Sequence, residues 1–184
     1  RVELSLAGGA SAVTALSDSA NLFDGTYVHR GAFNQKVSGT GSDATVQLGQ
    51  PQGVSVLPLN ASSDRTDLGL NTAARYDMQL SAASGKHVFN LSELSMRSVA
   101  LNVASGAVEL SLPTRGPYPV DIIVPAGVPV RVNASGLSGS IRGELVQRVS
   151  GNSMSGVYET PGFSRSGAYL ELNVNMLSGS VEIR

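Results

Sequence analysis

The chain contains no cysteine and no tryptophan, and only 5% of its 184 residues are aromatic. Without cysteine there are no disulfides, no thiol nucleophile and no cysteine-ligated zinc. With so few rings, the core must be built from aliphatic side chains. Charged residues make up 15% of the chain, against roughly 25% in an average soluble protein. The net charge of −1 argues against nucleic-acid binding, which usually needs a basic surface.

Long hydrophobic runs are missing as well. No stretch approaches the roughly 18 consecutive apolar residues that indicate a transmembrane helix. No basic segment followed by an apolar one marks a signal peptide. The chain begins at Arg1 with a strand-like pattern at Val2, Leu4 and Leu6. From this start we expect a trimmed, exported product.

A repeat is present instead. Pairs of a small residue and glycine occur at Gly85, Gly106 and Gly127, so the interval is 21 residues in both cases. The positions seven, five and three residues before each glycine are all apolar. They are Met78, Leu80 and Ala82, then Val99, Leu101 and Val103, then Val120, Ile122 and Val124. Alternation with period two predicts strands with one buried face.

The same template fits both ends of the chain. Around Gly9 it gives Val2, Leu4 and Leu6, and around Gly179 it gives Leu172, Val174 and Met176, followed by Val181 and Ile183. We therefore expect five copies in one phase. Glycine suits the corner of each copy because it tolerates positive φ and has no Cβ to crowd a stacked neighbour. A unit this short cannot bury its own apolar face, so the copies should stack.

The pattern predicts an all-β fold, specifically a single-stranded β-solenoid with rungs of about 21 residues. We expect one domain over residues 1–184, with regular rungs over 76–184 and an insertion near 134–168. Residues 1–75 are less regular and are expected to form an irregular N-terminal cap. An antiparallel sandwich is the main competitor, but it has no reason to repeat at a fixed interval. Within the N-terminal part we expect strands at 44–48 and 53–59 and a polar turn at 60–67.

Four strings resemble a known bacterial family: VELSLAGGA (2–10), LNVASGAVELSLP (101–113), VDIIVPAGVPVRV (120–132) and LELNVNMLSGSVEI (170–183). They are similar to toast-rack or LiaF-like β-solenoid domains, over about 76–184 and 1–35. The resemblance implies a cell-envelope or extracellular bacterial domain of the kind labelled adhesin or domain of unknown function. It also implies action through contacts with other molecules, because the family offers no catalytic residues to carry over.

Carboxylates supply the main alternative, a carbohydrate-active enzyme on the same scaffold. The candidates are Asp77, Asp121 and Glu171, with Arg75, Arg97 and Arg115 nearby. In the repeat Asp77 and Glu171 share the position eight residues before the corner glycine, so we expect them on one exterior sheet. A paired acid and base needs carboxylates within roughly 5–10 Å of each other. Scattered charges on a solvated face predict the same residues, and we favour that interpretation.

Metal binding has few candidate ligands. The two histidines, His29 and His87, exclude a site with three or four histidines, and leave only a two-histidine site with Asp24 or Asp77. We interpret His29 as a solvated loop residue and His87 as partly covering the apolar column. Oxygen ligands for Ca²⁺ are available at Asp64, Asp67, Asn60 and Asn71, but their spacing favours an ordinary polar turn. No metal, cofactor or catalytic residue is predicted.

The preferred hypothesis is a non-enzymatic, exported domain with a structural or interaction role. Serine, asparagine and glutamine on the outer faces of flat sheets would contact a cell-surface glycan or an envelope protein. The terminal rungs or the loop at 150–167 are the expected docking places. A subunit that assembles by end-to-end stacking is a further alternative, and the sequence leaves the oligomeric state open.

Overall fold

The computed structural model describes residues 1–6, 9–17, 19–28, 34–40, 43–49, 64–82, 85–104, 106–113, 119–124, 126–136, 140–152, 155–166, 169–176 and 180–184. These residues form 17 strands in two sheets and contain no helix. The strands are β1 (Val2–Leu6), β2 (Ala10–Leu16), β3 (Phe23–Val28), β4 (Asn34–Thr40), β5 (Asp43–Gly49), β6 (Arg65–Asn71), β7 (Arg75–Ala82), β8 (Lys86–Asn90), β9 (Ser95–Val103), β10 (Gly106–Ser111), β11 (Pro119–Ile123), β12 (Val130–Gly136), β13 (Ser140–Arg142), β14 (Gln147–Gly151), β15 (Ser155–Glu159), β16 (Leu170–Met176) and β17 (Ser180–Ile183). The all-β fold predicted from the sequence is confirmed.

Sheet A has the strand order β13-β17-β11-β9-β7-β1-β5-β4, and sheet B has the order β14-β15-β12-β16-β10-β8-β2-β6-β3. From β7 to β11 the chain alternates between the two sheets. Strands β7, β9 and β11 pair in parallel in sheet A, and β8 pairs in parallel with β10 in sheet B. Among the described strands, antiparallel pairing occurs only where β3, β4, β14 and β15 lie, at the ends of the sheets. The interior of both sheets is therefore parallel.

The 21-residue spacing is visible in the register of β7, β9 and β11. Leu80 pairs with Leu101, and Leu101 pairs with Ile122. All three side chains are buried, whereas the neighbouring Gln79 and Asn102 are exposed, as period-two alternation requires. Buried side chains of both sheets belong to one hydrophobic cluster. The two sheets therefore pack face to face over a shared aliphatic core.

Both ends of the chain lie inside the sheets. In sheet A, β1 lies between β5 and β7, and β17 lies between β11 and β13. In sheet B, β2 lies between β6 and β8, and β16 lies between β10 and β12. Of the strands in the N-terminal part expected to form a cap, β3 and β4 are sheet edges, whereas β1 and β2 are paired on both sides. Pairing on both sides satisfies the backbone groups that a terminal strand would otherwise leave exposed.

The last copy of the repeat, around Gly179, is out of phase with the others. The template aligns Leu172 with residues of β1, β7, β9 and β11, the sheet A strands that precede a corner glycine. Strand β16 lies in sheet B, where Leu172 pairs with Val108. Strand β17 lies in sheet A, where Val181 pairs with Val120. The expectation of five copies in one phase is wrong for this copy, because alternation looks the same in the strands of either sheet.

Three corner glycines stack closely. Gly9, Gly85 and Gly106 carry the chain from sheet A to sheet B with φ of +90°, +115° and +103°. A Cβ on Gly85 would overlap the carbonyl oxygen of Gly9, and one on Gly106 would overlap that of Gly85. Gly127 also has a positive φ, of +81°, but no atom lies within 4 Å of a Cβ placed there. Gly127 does not belong to this stack of glycines, because β16 separates β12, the strand that follows Gly127, from β10.

The two strands and the turn expected within the N-terminal part have different outcomes. The predicted strand at 44–48 lies within β5, and the one at 53–59 falls outside the described residues. The predicted polar turn at 60–67 is wrong at its end, because β6 begins at Arg65. From there buried side chains alternate with more exposed ones. Polar residues on the outer face of this strand gave it the composition of a turn.

Tyr76 is a buried residue with a strongly perturbed hydroxyl. Its oxygen lies 2.8 Å from the carbonyl oxygen of Asn71 and 3.2 Å from that of Leu22. Desolvation by burial raises the pKa of Tyr76 to about 12. An unfolded tyrosine has a pKa of about 10, so the native state holds this proton more tightly than the unfolded chain does. The resulting stabilisation is complete below about pH 10 and is lost as the pH rises to about 12.

We therefore expect Tyr76 to ionise near pH 12 in an absorbance titration of tyrosinate. Tyr76→Phe should abolish this transition and, by removing the hydrogen bond, lower the free energy of unfolding at pH 7 by about 1 kcal/mol. Tyr169→Phe, at a partly exposed position, is the matched control and should retain it. A transition near pH 12 that survives in Tyr76→Phe would contradict the assignment.

Candidate functional site

The outer face of sheet B carries a set of polar side chains on three adjacent strands, β16, β12 and β15. We call it the polar ladder. In the parallel register of β12 and β16, Asn133 lies opposite Asn173, and Ser135 lies opposite Asn175. The members of the polar ladder are Arg131, Asn133, Ser135, Glu159, Glu171, Asn173 and Asn175.

Hydrogen bonds tie the polar ladder together across the strands. The Asn133 amide donates to Glu171 at 3.0 Å and to the Asn173 side-chain oxygen at 2.8 Å. Its own oxygen accepts from the Arg131 Nε at 3.3 Å. The Ser135 hydroxyl donates to the Asn175 side chain. Because each side chain is held by a neighbour, the face presents polar groups in fixed positions.

At the β15 side of the polar ladder, Arg131 and Glu159 form an ion pair. The antiparallel register of β12 and β15 places the two residues opposite each other. Each side chain is only 18% exposed, although both are on the outer face of the sheet. Reduced access of water weakens dielectric screening, so this pair should contribute more than an exposed surface pair.

Glu159→Gln is expected to lower the free energy of unfolding by about 1–2 kcal/mol, because it leaves the Arg131 guanidinium shielded without a charged partner. The matched control is Glu182→Gln, which also removes a carboxylate paired with arginine, but one that is 52% exposed. Urea denaturation should show a clearly smaller effect for the control. If both variants lose the same free energy of unfolding, limited access of water does not strengthen the pair of Arg131 and Glu159.

A second charged group lies on the outer face of sheet A. Asp121 and Glu182 are paired residues on β11 and β17. The Arg184 guanidinium lies 3.5 Å from Asp121 and 3.0 Å from Glu182. The hydrogen bond from Arg184 and its charge, helped by the charge of Arg142, lower the pKa of Glu182. This carboxyl group therefore stays ionised and is a poor proton donor.

The structure separates the carboxylates that the sequence suggested for catalysis. Asp77 and Asp121 share the outer face of sheet A but are two strands apart and offset by two residues. At a strand spacing of about 4.8 Å and a rise of about 3.3 Å per residue, this is about 12 Å. Glu171 lies in sheet B, so the expectation that it shares a sheet with Asp77 is wrong. Inverting glycosidases hold their carboxyl groups about 6.5–9.5 Å apart and retaining enzymes closer, so this set does not form such a pair.

The arginines proposed beside these carboxylates have different surroundings. Arg97 lies 3.3 Å from Asp77, which also accepts a hydrogen bond from the Ser98 hydroxyl at 2.8 Å. Arg75 is exposed at the start of β7. Arg115 lies outside the described residues. The contacts of Asp77 thus join β7 to β9.

His87 is fully buried, whereas the sequence suggested that it only partly covers the core. It points inward from β8, next to Ser11 on β2, and Ser11 lies opposite Thr66 on β6. The Ser11 hydroxyl is 2.7 Å from the His87 Nδ1, and the imidazole stacks on Phe89 with a centroid distance of 6.1 Å. A histidine without solvent exposure does not meet a substrate at the surface, so His87 belongs to a hydrogen-bonded polar row within the core.

The suggested metal ligands do not come together. Asp24 is exposed on β3 and Asp77 lies on the outer face of sheet A, whereas His87 faces the core. His29 lies outside the described residues. Over the ranges that the structure describes, no three histidine, aspartate or glutamate side chains are grouped as a metal site would require.

The described residues among the proposed calcium ligands each have a different contact. Asp67 lies on β6 and pairs with Arg65 at 2.5 Å. The Asn71 amide donates to the carbonyl oxygens of Ser19 and Asn21 at 2.7 and 3.0 Å, which fixes the turn after β2. The carbonyl oxygen of Asp64 accepts the Ala10 N–H in the corner. Asn60 lies outside the described residues.

Most of the chain matches a known protein family. The model of the N-terminal domain of toast_rack, DUF2154, matches residues 1–132, more than two thirds of the chain. The chain belongs to this toast-rack family. The match includes residues 36–75, which the resemblance noted in the sequence left out, and it ends within β12.

The toast-rack domain also resembles a solved structure, the crystal structure of a putative cell adhesion protein from Clostridium sporogenes ATCC 15579. The TM-score is 0.57 at 17% sequence identity, and the match covers 100% of this chain and 92% of the other. At this identity the likeness concerns the fold. The search of curated proteins finds no match. In the part of the chain that the structure describes, no helix has the length and apolar character to cross a membrane.

Proposed function

We propose that this toast-rack domain is a non-enzymatic, adhesin-like binding domain of the bacterial cell envelope or exterior. In this proposal residues 1–184 form one domain, and the polar ladder contacts a cell-surface glycan or a protein partner. The name of the structural neighbour supports a role in adhesion, and that role supports an external location. The 150–167 segment, where we expected docking, begins in the β14–β15 hairpin beside the polar ladder.

The observation that carries the proposal is the hydrogen bonding of Asn133 to Glu171 and Asn173. Ordering long polar side chains on binding costs about 0.5–1.5 kcal/mol for each one. Side chains already held across β12 and β16 avoid much of this cost. A flat face of preorganised donors and acceptors suits recognition of a polar surface.

Three observations support a non-enzymatic role. The carboxylates suggested for catalysis are dispersed over two sheets. Asp121 and Glu182 do lie side by side, but a general acid needs a raised pKa, whereas Arg184 lowers the pKa of Glu182. The buried Ser11 and His87 have no access to a substrate.

We further propose a β-solenoid with rungs of about 21 residues for the stretch from β7 to β11. The parallel pairing of Leu80 with Leu101, and of Leu101 with Ile122, supports this description. Each rung then stabilises its neighbours through a shared aliphatic column. This stretch adjoins the polar ladder, because β10 pairs with β16.

The test is adhesion of beads coated with the purified domain to immobilised bacterial cell-wall glycans and to extracellular proteins. We expect saturable binding to one class of surface, reduced about tenfold, or 1.4 kcal/mol, by Asn133→Ala. The matched control is Gln79→Ala, an exposed residue on sheet A, which should bind like the original domain. Absence of adhesion, equal loss in both variants, or release of reducing ends from the glycans would overturn the proposal.

A further inference from the structure

A cleft opens at one end of sheet B, next to the polar ladder. It has a volume of about 270 Å³ and lies between three turns, which precede β12, precede β14 and follow β15. Its walls include Val128, Pro129, Glu144, Leu145, Pro161 and Gly162. The turns come from parts of the chain that are distant in sequence, so the cleft is a product of the fold.

Hydrogen bonds fix two of the three turns to each other. The Val130 N–H donates to the Thr160 hydroxyl at 3.2 Å, and the Thr160 N–H donates to the Val130 carbonyl oxygen at 3.0 Å. The Phe163 N–H closes its own turn on the Thr160 carbonyl oxygen at 3.0 Å. No atom lies within 4 Å of a Cβ placed on Gly127 or Gly162. These hydrogen bonds hold the turn before β12 against the turn after β15, on two sides of the cleft.

The walls are mostly apolar, with Thr160 and one carboxylate among them. Val128 and Leu145 are partly buried and pack against the core, and the two prolines add further apolar surface. Glu144 is exposed and is the only charged residue among the described residues of the lining. Within the described ranges it forms no ion pair or hydrogen bond, in contrast to Glu159 nearby, which is paired with Arg131.

This combination suits a cation on an aliphatic stem. Lysine and arginine bury their methylene groups along apolar surface while the charged end stays at the rim. A carboxylate at that rim forms a charge-assisted hydrogen bond with the cation. The volume is below the roughly 300–1,000 Å³ of pockets for drug-sized ligands, and it suits one side chain. No aromatic ring lines the cleft in the described part of the chain, so it lacks the stacking surface that favours a sugar.

We propose that the cleft receives a lysine or arginine side chain of a protein partner, anchored by Glu144. The inference rests on the proposed adhesin-like function and narrows its partner to a protein with an exposed basic residue. The cleft adjoins the polar ladder. Pro129 immediately precedes β12, which carries Arg131, and Thr160 immediately follows Glu159 at the end of β15. One partner surface would therefore span both features.

The experiment is an amide chemical-shift titration of the full chain with n-butylammonium and n-butylguanidinium, which mimic the two side chains. We expect saturable shifts at Gly127, Leu145 and Gly162, with dissociation constants on the order of millimolar, as for very small ligands. In Glu144→Gln the affinity should fall about tenfold, because the charge-assisted bond is lost. Glu93→Gln, at another exposed carboxylate in a turn, is the control and should leave the titration unchanged.

Several results would overturn the proposal. One is a dissociation constant that is unchanged in Glu144→Gln. Another is that amides near other surface carboxylates shift as much as those of the cleft. Shifts produced by N-acetylglucosamine but not by either cation would assign the cleft to a glycan. The titration needs no adhesion partner, so its failure is separable from failure of the proposed function. Adhesion that is lost in Asn133→Ala while the cations do not bind would reject the cleft alone.

Discussion

Alanine in place of Gly85 is expected to lower the free energy of unfolding by about 2–5 kcal/mol. Part of the loss comes from φ of +115°, where an L-residue is strained. The rest comes from crowding, because the new Cβ would overlap the carbonyl oxygen of Gly9. That oxygen already accepts the Lys86 N–H at 3.1 Å, so moving it away weakens a bond between the stacked corners.

Gly127→Ala separates the two causes of this loss. Gly127 also has a positive φ, of +81°, but nothing lies within 4 Å of its added Cβ. Only the conformational strain should remain, which is about 1–2 kcal/mol. Thermal or urea unfolding of both variants gives the difference directly. If Gly85→Ala loses no more than Gly127→Ala, the corners do not stack as described.

Leu101→Ala is the second substitution with a large expected effect. Leu101 is completely buried between Leu80 and Ile122 in the middle of sheet A. Removing its side chain leaves a cavity among neighbours that are held in register by backbone pairing, so the core cannot readily collapse. We expect a loss of about 2–5 kcal/mol in the free energy of unfolding.

The neighbouring residue provides the control for this substitution. Asn102 follows Leu101 in β9 and is exposed on the outer face of the sheet. Asn102→Ala should stay within about 0.5 kcal/mol of the original chain. Urea denaturation with an unchanged m value would show that both variants unfold from the same state. A small loss in Leu101→Ala, similar to that of Asn102→Ala, would mean that this position is not central to the core.

Local alternation explains how much of the fold was predictable. Met78, Leu80 and Ala82 read as one buried face, and they are buried in β7. The interval of 21 residues between Leu80, Leu101 and Ile122 became the register of adjacent strands. These features depend on short-range pattern and equal spacing, which are written directly in the sequence.

The order of strands within the sheets was not predictable in the same way. Strand β16 enters between β10 and β12, so Val108 and Val132 both pair with Leu172. A strand that is apolar on one face fits either sheet, and only the packing of the whole chain selects the place. The sequence does carry one local signal of this order, because LSGSI (137–141) resembles LSGSV (177–181) and Ile141 pairs with Val181.

Parts of the site could have been found from the repeat. Ser11 stands two residues after Gly9, as His87 does after Gly85, and the two residues face each other in the core. The polar ladder was foreseen only as a general polar face. Its ion pair between Arg131 and Glu159 depends on the antiparallel hairpin of β14 and β15, for which the repeat gives no signal.

Methyl–methyl nuclear Overhauser contacts of Ile122 test the central structural claim in one spectrum. Paired residues on adjacent strands lie about 5 Å apart, within range of the measurement. Ile122 should show contacts to Leu101 on one side and to Ile183 on the other. The first contact reports the 21-residue register, and the second reports the C-terminal strand inserted into sheet A. Contacts from Ile122 to Ile141 without any to Ile183, or no contact to Leu101, would contradict the account.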